Sequence, residues 1–300
     1  MSFKVLTYNN GVGIVTDAKL LTSLLKSHIT NDVEMEFTDK FNKNNYDVGI
    51  WIQNFDINLL NCFKTNVLFI NEEWSGEHEL NNLYLFNHVI CKTNYAKKLL
   101  SKYRNVVCLP FISRNYYIDI NRKDKYLHFA GRSIQKNTEL ILKQSQSITL
   151  IDPYSLHSPP NHFNHINQYQ TQDELRIILN THNIHLCTSL YESWGHYLYE
   201  GLSTGNEIIC SDIPAFNENL DPTLVHFIPT KINSDYTYSF DKQNQSGGYP
   251  MRQSFYIEQQ RLKDTIDNFK PIGKNEERRK LFKDIIDKNS FKLIEFFKNL

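Results

Sequence analysis

The sequence predicts two tandem doubly wound α/β domains, and three observations carry that prediction. Strand-like and helix-like segments alternate through the first third of the chain; the alternation stops at Pro110 and restarts near residue 126; and the apolar runs are short, like strands buried on both faces of a parallel sheet. A length of 300 residues suits two modest domains. With 40% apolar residues, rich in Phe and Tyr, the chain can build real cores and is no disordered tail.

Taken in order, Phe3–Tyr8 reads as a strand. Val12–Lys26 reads as a helix, because Ala18, Leu21, Leu24 and Leu25 recur on one face. Asp47–Ile52, Asn66–Ile70 and His88–Cys91 are short apolar strands. Thr93 can cap a helix from Asn94 to Tyr103, and Val106–Leu109 closes the first set. Residues 111–125 are polar and tyrosine-rich without a period, as in a linker. The second set follows: strand Tyr126–Ala130, helix Thr138–Lys143, strand Ile148–Ile151, a Thr171-capped helix to Thr181, strand Ile184–Cys187, helix Gly195–Ser203, strand Glu207–Cys210 and strand Leu224–Ile228. Residues 230–253, with Ser246-Gly247-Gly248, read as a long surface loop, and two or three helices close the chain from Phe255. No repeat of solenoid period is present.

Charge and cysteine usage bound the function. Lys plus Arg equals Asp plus Glu at 33 each, so nothing in the overall charge favours nucleic acid or an anionic membrane. The five cysteines form no CxxC pair and mostly lie in apolar runs, which fits reduced thiols in a cytoplasmic protein. The N-terminus enters a strand directly, so no signal peptide is expected, and no apolar run approaches the roughly 20 residues of a membrane span. Peripheral membrane contact stays open.

The segment with most chemistry runs from Thr188-Ser189-Leu190-Tyr191-Glu192-Ser193-Trp194-Gly195 through His196-Tyr197-Leu198-Tyr199-Glu200 to Gly205. It leaves a strand and enters a helix, with seven residues between Glu192 and Glu200. Gly195 lets a ligand approach the backbone. The amides of the first helical turn suit an anion such as a diphosphate. A carboxylate deeper in the helix can accept hydrogen bonds from a sugar or ribose diol. The plain alternative is an exposed helix with two unrelated solvated carboxylates.

Here the sequence resembles the large retaining glycosyltransferase group, with GT-B architecture, whose C-terminal domain carries a Glu-x7-Glu motif. The resemblance continues through Gly205–Glu218, which is similar to that group's small residue, strand, Ser-Asp, helix, Glu continuation. Upstream, Phe129-Ala130-Gly131-Arg132-Ser133-Ile134-Gln135-Lys136 matches its strand-to-helix turn with a basic pair. Guanidinium and ammonium groups both suit phosphate oxygens. The spacing of four differs from the five of many members, and a surface basic pair is the alternative. Asn9-Asn10-Gly11-Val12-Gly13 resembles the group's N-terminal glycine loop, or is simply a tight turn; Thr16 stands where a dinucleotide fingerprint has its third glycine. Asn71-Glu72-Glu73-Trp74 ends a strand, where Glu72 or Glu73 could orient an acceptor hydroxyl beside Trp74, unless it is an ordinary acidic loop with a packed tryptophan. His157, His162 and His165 read as surface-loop histidines, and His78 as a solvated one; no Asp-x-Asp pair suggests a metal.

The resemblance implies two facing Rossmann-like domains with a donor/acceptor cleft: residues 1–112 on the acceptor side, 113–288 holding the donor, and 289–300 as a helix crossing back. It implies sugar transfer, with retention, from a nucleoside-diphosphate sugar, most often UDP-linked, to a hydroxyl of a glycan, lipid or small molecule. Cofactor and metal are not expected. Arg132, Lys136 and the Gly195–His196–Tyr197 amides would take the diphosphate, with Gly11 and Gly13 facing it; Glu200 would take the ribose and Glu192 the donor sugar. Glu192, Arg132 and Lys136 are then the catalytic candidates. The competing readings are a catalytically silent nucleotide- or glycan-binding protein of the same fold, and a nucleic-acid-modifying glycosyltransferase, which the neutral charge disfavours.

Overall fold

Every residue of the first strand, β1 (Phe3–Thr7), is buried, as in a strand with both faces covered, and its one charge, Lys4, is paired with Glu34 and Glu36. It belongs to a computed structural model that describes residues 1–9, 12–41, 46–131, 134–233 and 253–300. The described residues fall into two units. One comprises Met1–Ile112 and Ile286–Leu300; the other comprises residues 113–233 and Gln253–Ile285.

In the first unit β1 is followed by α1 (Val12–His28), β2 (Val33–Phe37), β3 (Tyr46–Ile52), β4 (Phe63–Phe69), α2 (Glu77–Asn81), β5 (His88–Cys91), α3 (Asn94–Leu100) and β6 (Val107–Cys108). The six strands make one parallel sheet in the order β2-β1-β3-β4-β5-β6. The α1 face predicted from periodicity is the buried one, with Ala18, Leu21 and Leu25 fully covered. At the centre, a Cβ on Gly49 would lie 2.6 Å from the Phe63 ring. Glycine thus lets Phe63 lie flat on β3, edge-on to Trp51 at 5.8 Å. The Trp51 indole donates to Asn66 Oδ1 at 2.9 Å. Thr93 caps α3 by accepting from Ala96 N–H at 3.0 Å.

In the second unit come β7 (Lys123–Phe129), α4 (Thr138–Ile141), β8 (Ile148–Ile151), β9 (Asn164–Ile166), α5 (Gln172–Thr181), β10 (His182–Cys187), α6 (His196–Ser203), β11 (Glu207–Ser211), α7 (Pro214–Asn217) and β12 (His226–Ile228). Then follow β13 (Lys231–Asn233), β14 (Ser254–Tyr256), α8 (Gln259–Asp267) and α9 (Asn275–Lys298). The main sheet is again parallel, in the order β12-β11-β10-β7-β8-β9. Thr171 and Glu174 form the capping box that starts α5. Beneath the sheet Ile148, Leu150, Ile184, Leu186, Ile209 and Ile228 pack with Leu262 and Ile266 of α8.

At the start of β11, Glu207 and Arg278 of α9 are both fully buried. The guanidinium grips the carboxylate with two hydrogen bonds, 2.8 and 3.1 Å, and also donates to the carbonyls of Gly205 and Leu224. The later turns of α9, from Ile286, belong to the first unit. There Phe297 packs on Phe3 and Phe69, and Asn289 donates to the Phe111 carbonyl at 2.8 Å.

Four expectations change. β2 and β9 were not predicted, because both are edge strands with part-exposed polar residues that break the apolar run. Residues 111–125 are no free linker: Phe111 and Tyr116 are buried, and β7 begins within the segment at Lys123. Asn180 fastens it to the second unit, donating to Tyr116 O at 2.7 Å and accepting from Ile118 N–H at 3.1 Å. Of the segment 230–253, Lys231–Asn233 form β13, which pairs antiparallel with β14; residues 234–252 lie outside the described residues. α3 ends at Leu100, three residues early.

Candidate functional site

In the second sheet the strand order reverses between β7 and β10, which are hydrogen-bonded neighbours. Chains leaving two such strands diverge to opposite sides, opening a crevice at their carboxyl ends. The residues leaving β7 are Ala130 onward and those leaving β10 are Thr188 onward, so the topology joins the two segments singled out in sequence. They are tied together directly. Leu190 N–H donates to Gln135 O at 2.8 Å, the buried Gln135 amide donates to Tyr191 O at 3.0 Å, and Thr188 Oγ1 donates to Lys136 O at 3.2 Å.

His128 supports this junction from within β7. Its Nδ1 lies 2.9 Å from the Leu186 carbonyl, which can only accept, so Nδ1 carries the proton and Nε2 accepts from Thr138 Oγ1 at 3.1 Å. Burial lowers its pKa to about 4, so the ring is neutral at physiological pH.

Lys136 forms an ion pair with Glu192, and both side chains are largely withdrawn from water. The ammonium also sits 3.9 Å above the Tyr197 ring. Ser189 Oγ donates to Glu192 Oε1 at 2.8 Å, which leaves its lone pairs for the Tyr197 hydroxyl at 2.7 Å. Burial, with the neighbouring Cys187 and the Glu192 carboxylate, pushes the Tyr197 phenol well above its usual range, so it stays a donor.

Gly195 caps α6 with φ of +86°, a left-handed conformation. A Cβ there would stand 2.5 Å from the Phe216 ring, so the glycine answers both a backbone and a packing requirement. Gly195→Ala should cost about 1–2 kcal/mol for the left-handed residue and about 1–3 kcal/mol for overpacking. Urea unfolding of the variant measures this; a midpoint within error of wild type would show that the turn relaxes freely.

Beside it the buried Trp194 stacks on Tyr199, with centroids 4.1 Å apart, and its indole donates to Ser113 Oγ at 2.9 Å. Ser113 Oγ is also within hydrogen-bond distance of His196 Nδ1, 2.9 Å away. Glu200 follows His196 by four residues and Tyr197 by three, so the three share a helix face. It is half-buried, and among the described residues its carboxylate accepts no hydrogen bond. Burial raises its pKa, opposed by the charges of His196, Arg114 and Lys136.

Lys136, Glu192, Gly195, His196, Tyr197 and Glu200 are therefore gathered at one sheet edge. Arg132 lies outside the described residues, as does Gly11. Gly13 is in the first turn of α1, exposed, and a Cβ there would touch nothing, so packing does not explain it. Glu72 and Glu73 follow β4 and are buried, with Trp74 half-buried. Close to the carboxyl end of the same sheet Lys92 pairs with Asp17 of α1 at 2.5 Å, with both side chains buried. The histidine loop also differs from expectation. Asp152, fully buried at the end of β8, accepts from the His157 amide at 2.8 Å and faces its ring at 3.1 Å. His165 is a residue of β9 and not of a loop. No group among the described residues is arranged to hold a metal ion. Ser113, Arg114, Gln135 and Ser189 join the site without a signal in the sequence, because serine, glutamine and a lone arginine carry none without their partners.

The topology defines the class: two parallel Rossmann-like units in tandem are the GT-B fold. No protein-family model and no curated protein sequence matches the chain. Solved structures do. HepE from Anabaena, in complex with UDP and glucose, superposes with a TM-score of 0.68 at 11% identity, all of each chain being covered. Sucrose-phosphate synthase from Thermosynechococcus elongatus gives 0.65 at 10% identity, over 99% of this chain and 98% of that one. The pneumococcal O-GlcNAc transferase GtfA, in complex with UDP and GlcNAc, gives 0.57 at 14% identity, over 84% of this chain and 56% of that one. Identities this low establish the fold. Among the described residues no helix is long and apolar enough to cross a membrane.

Proposed function

We propose that the chain is a retaining glycosyltransferase that moves a sugar from a nucleoside-diphosphate sugar to an acceptor hydroxyl, on a glycan, a lipid or a small molecule. The observation that carries this reading is the meeting of Lys136, Glu192 and the α6 N-terminus at the reversal of the second sheet, beside a Glu200 carboxylate that accepts no hydrogen bond among the described residues. HepE and GtfA, which share the fold, are described with UDP and a sugar bound, and UDP is accordingly the proposed leaving group.

In this reading the donor diphosphate takes Lys136, Arg132 and the positive end of the α6 dipole, which together stabilise charge as the glycosidic bond to phosphate breaks. Glu200 accepts the two ribose hydroxyls and Glu192 hydroxyls of the transferred sugar. Because cationic side chains and helix dipole supply the positive charge, no metal ion is required. Glu72, Glu73 and Trp74 form the acceptor side, and the protein works in the cytoplasm.

A thermal-shift screen of nucleotides and nucleotide sugars in the presence of EDTA tests this. A ligand present at 100 times its Kd should add about 2.7 kcal/mol of stability, because it binds the native state alone. If no nucleotide or nucleotide sugar raises the melting temperature, the proposal fails; if only Mg²⁺ or Mn²⁺ restores the shift, its metal-free form fails.

A further inference from the structure

Glu192 and Lys136 are the two groups that a nucleotide sugar would address at opposite ends of its scissile bond, yet in the ligand-free chain they neutralise each other. The pair is held in a closed loop: Ser189 bonds Glu192, Tyr197 bonds Ser189, and Lys136 rests on the Tyr197 ring. Side-chain exposures of 19% for Lys136 and 7% for Glu192 put it in a partly desolvated setting, where separating the charges is costly unless each finds a new partner.

We propose that this ion pair makes the site select an intact nucleotide sugar over the bare nucleoside diphosphate, and so drives product release. The inference rests on the donor site proposed above. A whole donor offers phosphate oxygens to Lys136 and sugar hydroxyls to Glu192, so both charges are satisfied when the pair parts. A nucleoside diphosphate offers phosphate alone. Among the described residues it leaves Glu192 with the Ser189 hydrogen bond alone, close to a second anion. Once the sugar has left for the acceptor, Glu192 loses its hydroxyl partners and draws Lys136 back from the diphosphate. Ser189 and Tyr197 are positioning residues in this scheme, since they fix the carboxylate at the distance from which it competes with phosphate.

Calorimetric titration of UDP and UDP-glucose into wild type, Glu192→Gln and Ser189→Ala separates the possibilities. Glutamine keeps the shape and the Ser189 hydrogen bond but carries no charge. Glu192→Gln should bind UDP at least fivefold more tightly than wild type and UDP-glucose more weakly, so that the preference for the sugar nucleotide collapses. Ser189→Ala should move both affinities in the same directions by a smaller factor, and it provides the test if the glutamine variant does not fold. If wild type binds UDP and the folded variants bind it equally or less tightly, the selective role is wrong while the donor site stands. If wild type binds neither probe, both the donor site in its UDP form and this inference fall.

Discussion

Arg278→Met should be among the most destabilising single substitutions in this protein, lowering unfolding free energy by about 3–5 kcal/mol. The guanidinium is fully buried and spends its donors on Glu207, two carbonyls and Asn275. Removing it leaves Glu207, itself 1% exposed, as a buried carboxylate whose remaining neighbours are the Gly273 amide at 2.9 Å and His226 at 3.4 Å. The double variant Arg278→Met, Glu207→Gln should recover part of the loss, since it removes the stranded charge. Urea denaturation of both measures it, and a cost below 1 kcal/mol for the single variant would show that water reaches the carboxylate.

The same pair sets a pH dependence. Burial by itself would raise the Glu207 pKa, but the His226 ring, the Gly273 amide and the Arg278 guanidinium outweigh it and hold it at about 2. Its unfolded value is near 4.3. A group lowered by folding contributes stability that is complete above its unfolded pKa and is lost as pH falls toward the folded one. Wild type should therefore lose stability from about pH 4.3 down to about pH 2 more steeply than the Glu207→Gln variant.

Glu200→Gln should act in two opposite directions. With its pKa raised in the folded state, Glu200 titrates the other way: the native state binds its proton more tightly than the unfolded chain, so stability declines as pH rises from the unfolded value through the folded one. At neutral pH the apo variant should accordingly melt higher than wild type, and the difference should vanish in acid. Donor affinity should fall at least tenfold, because about 1.5 kcal/mol is the lower end for a hydrogen bond to a charged group and corresponds to that factor. Melting curves across pH and calorimetry on one preparation read both effects. Unchanged donor affinity in a folded variant would remove Glu200 from the ribose site. An apo melting temperature that does not rise at neutral pH would show that the carboxylate finds solvent enough to be at ease. A gain in stability paired with a loss of binding is what a group kept unsatisfied for a ligand should produce.

Most strands and helices were legible because their signals are local. The buried face of α1, the caps at Thr93 and Thr171, and Gly195 at the start of α6 each rest on residues within a few positions of one another. The edge strands β2 and β9 escaped because a strand with one neighbour need not be apolar, and its pairing lies in another part of the chain. The sequence by itself determined the alternating α/β elements, the glycine turn, the two glutamates and the basic turn as separate segments. Only the tertiary structure decided that they meet. Strand order is set by which apolar faces bury one another, and it reverses between β7 and β10, joining Lys136 to Glu192 across 56 residues of chain. Burial likewise turned Glu207 and Arg278, two unremarked charges 71 residues apart, into an anchor of the fold, because a charge is ordinary in water and demands its partner only where water is excluded.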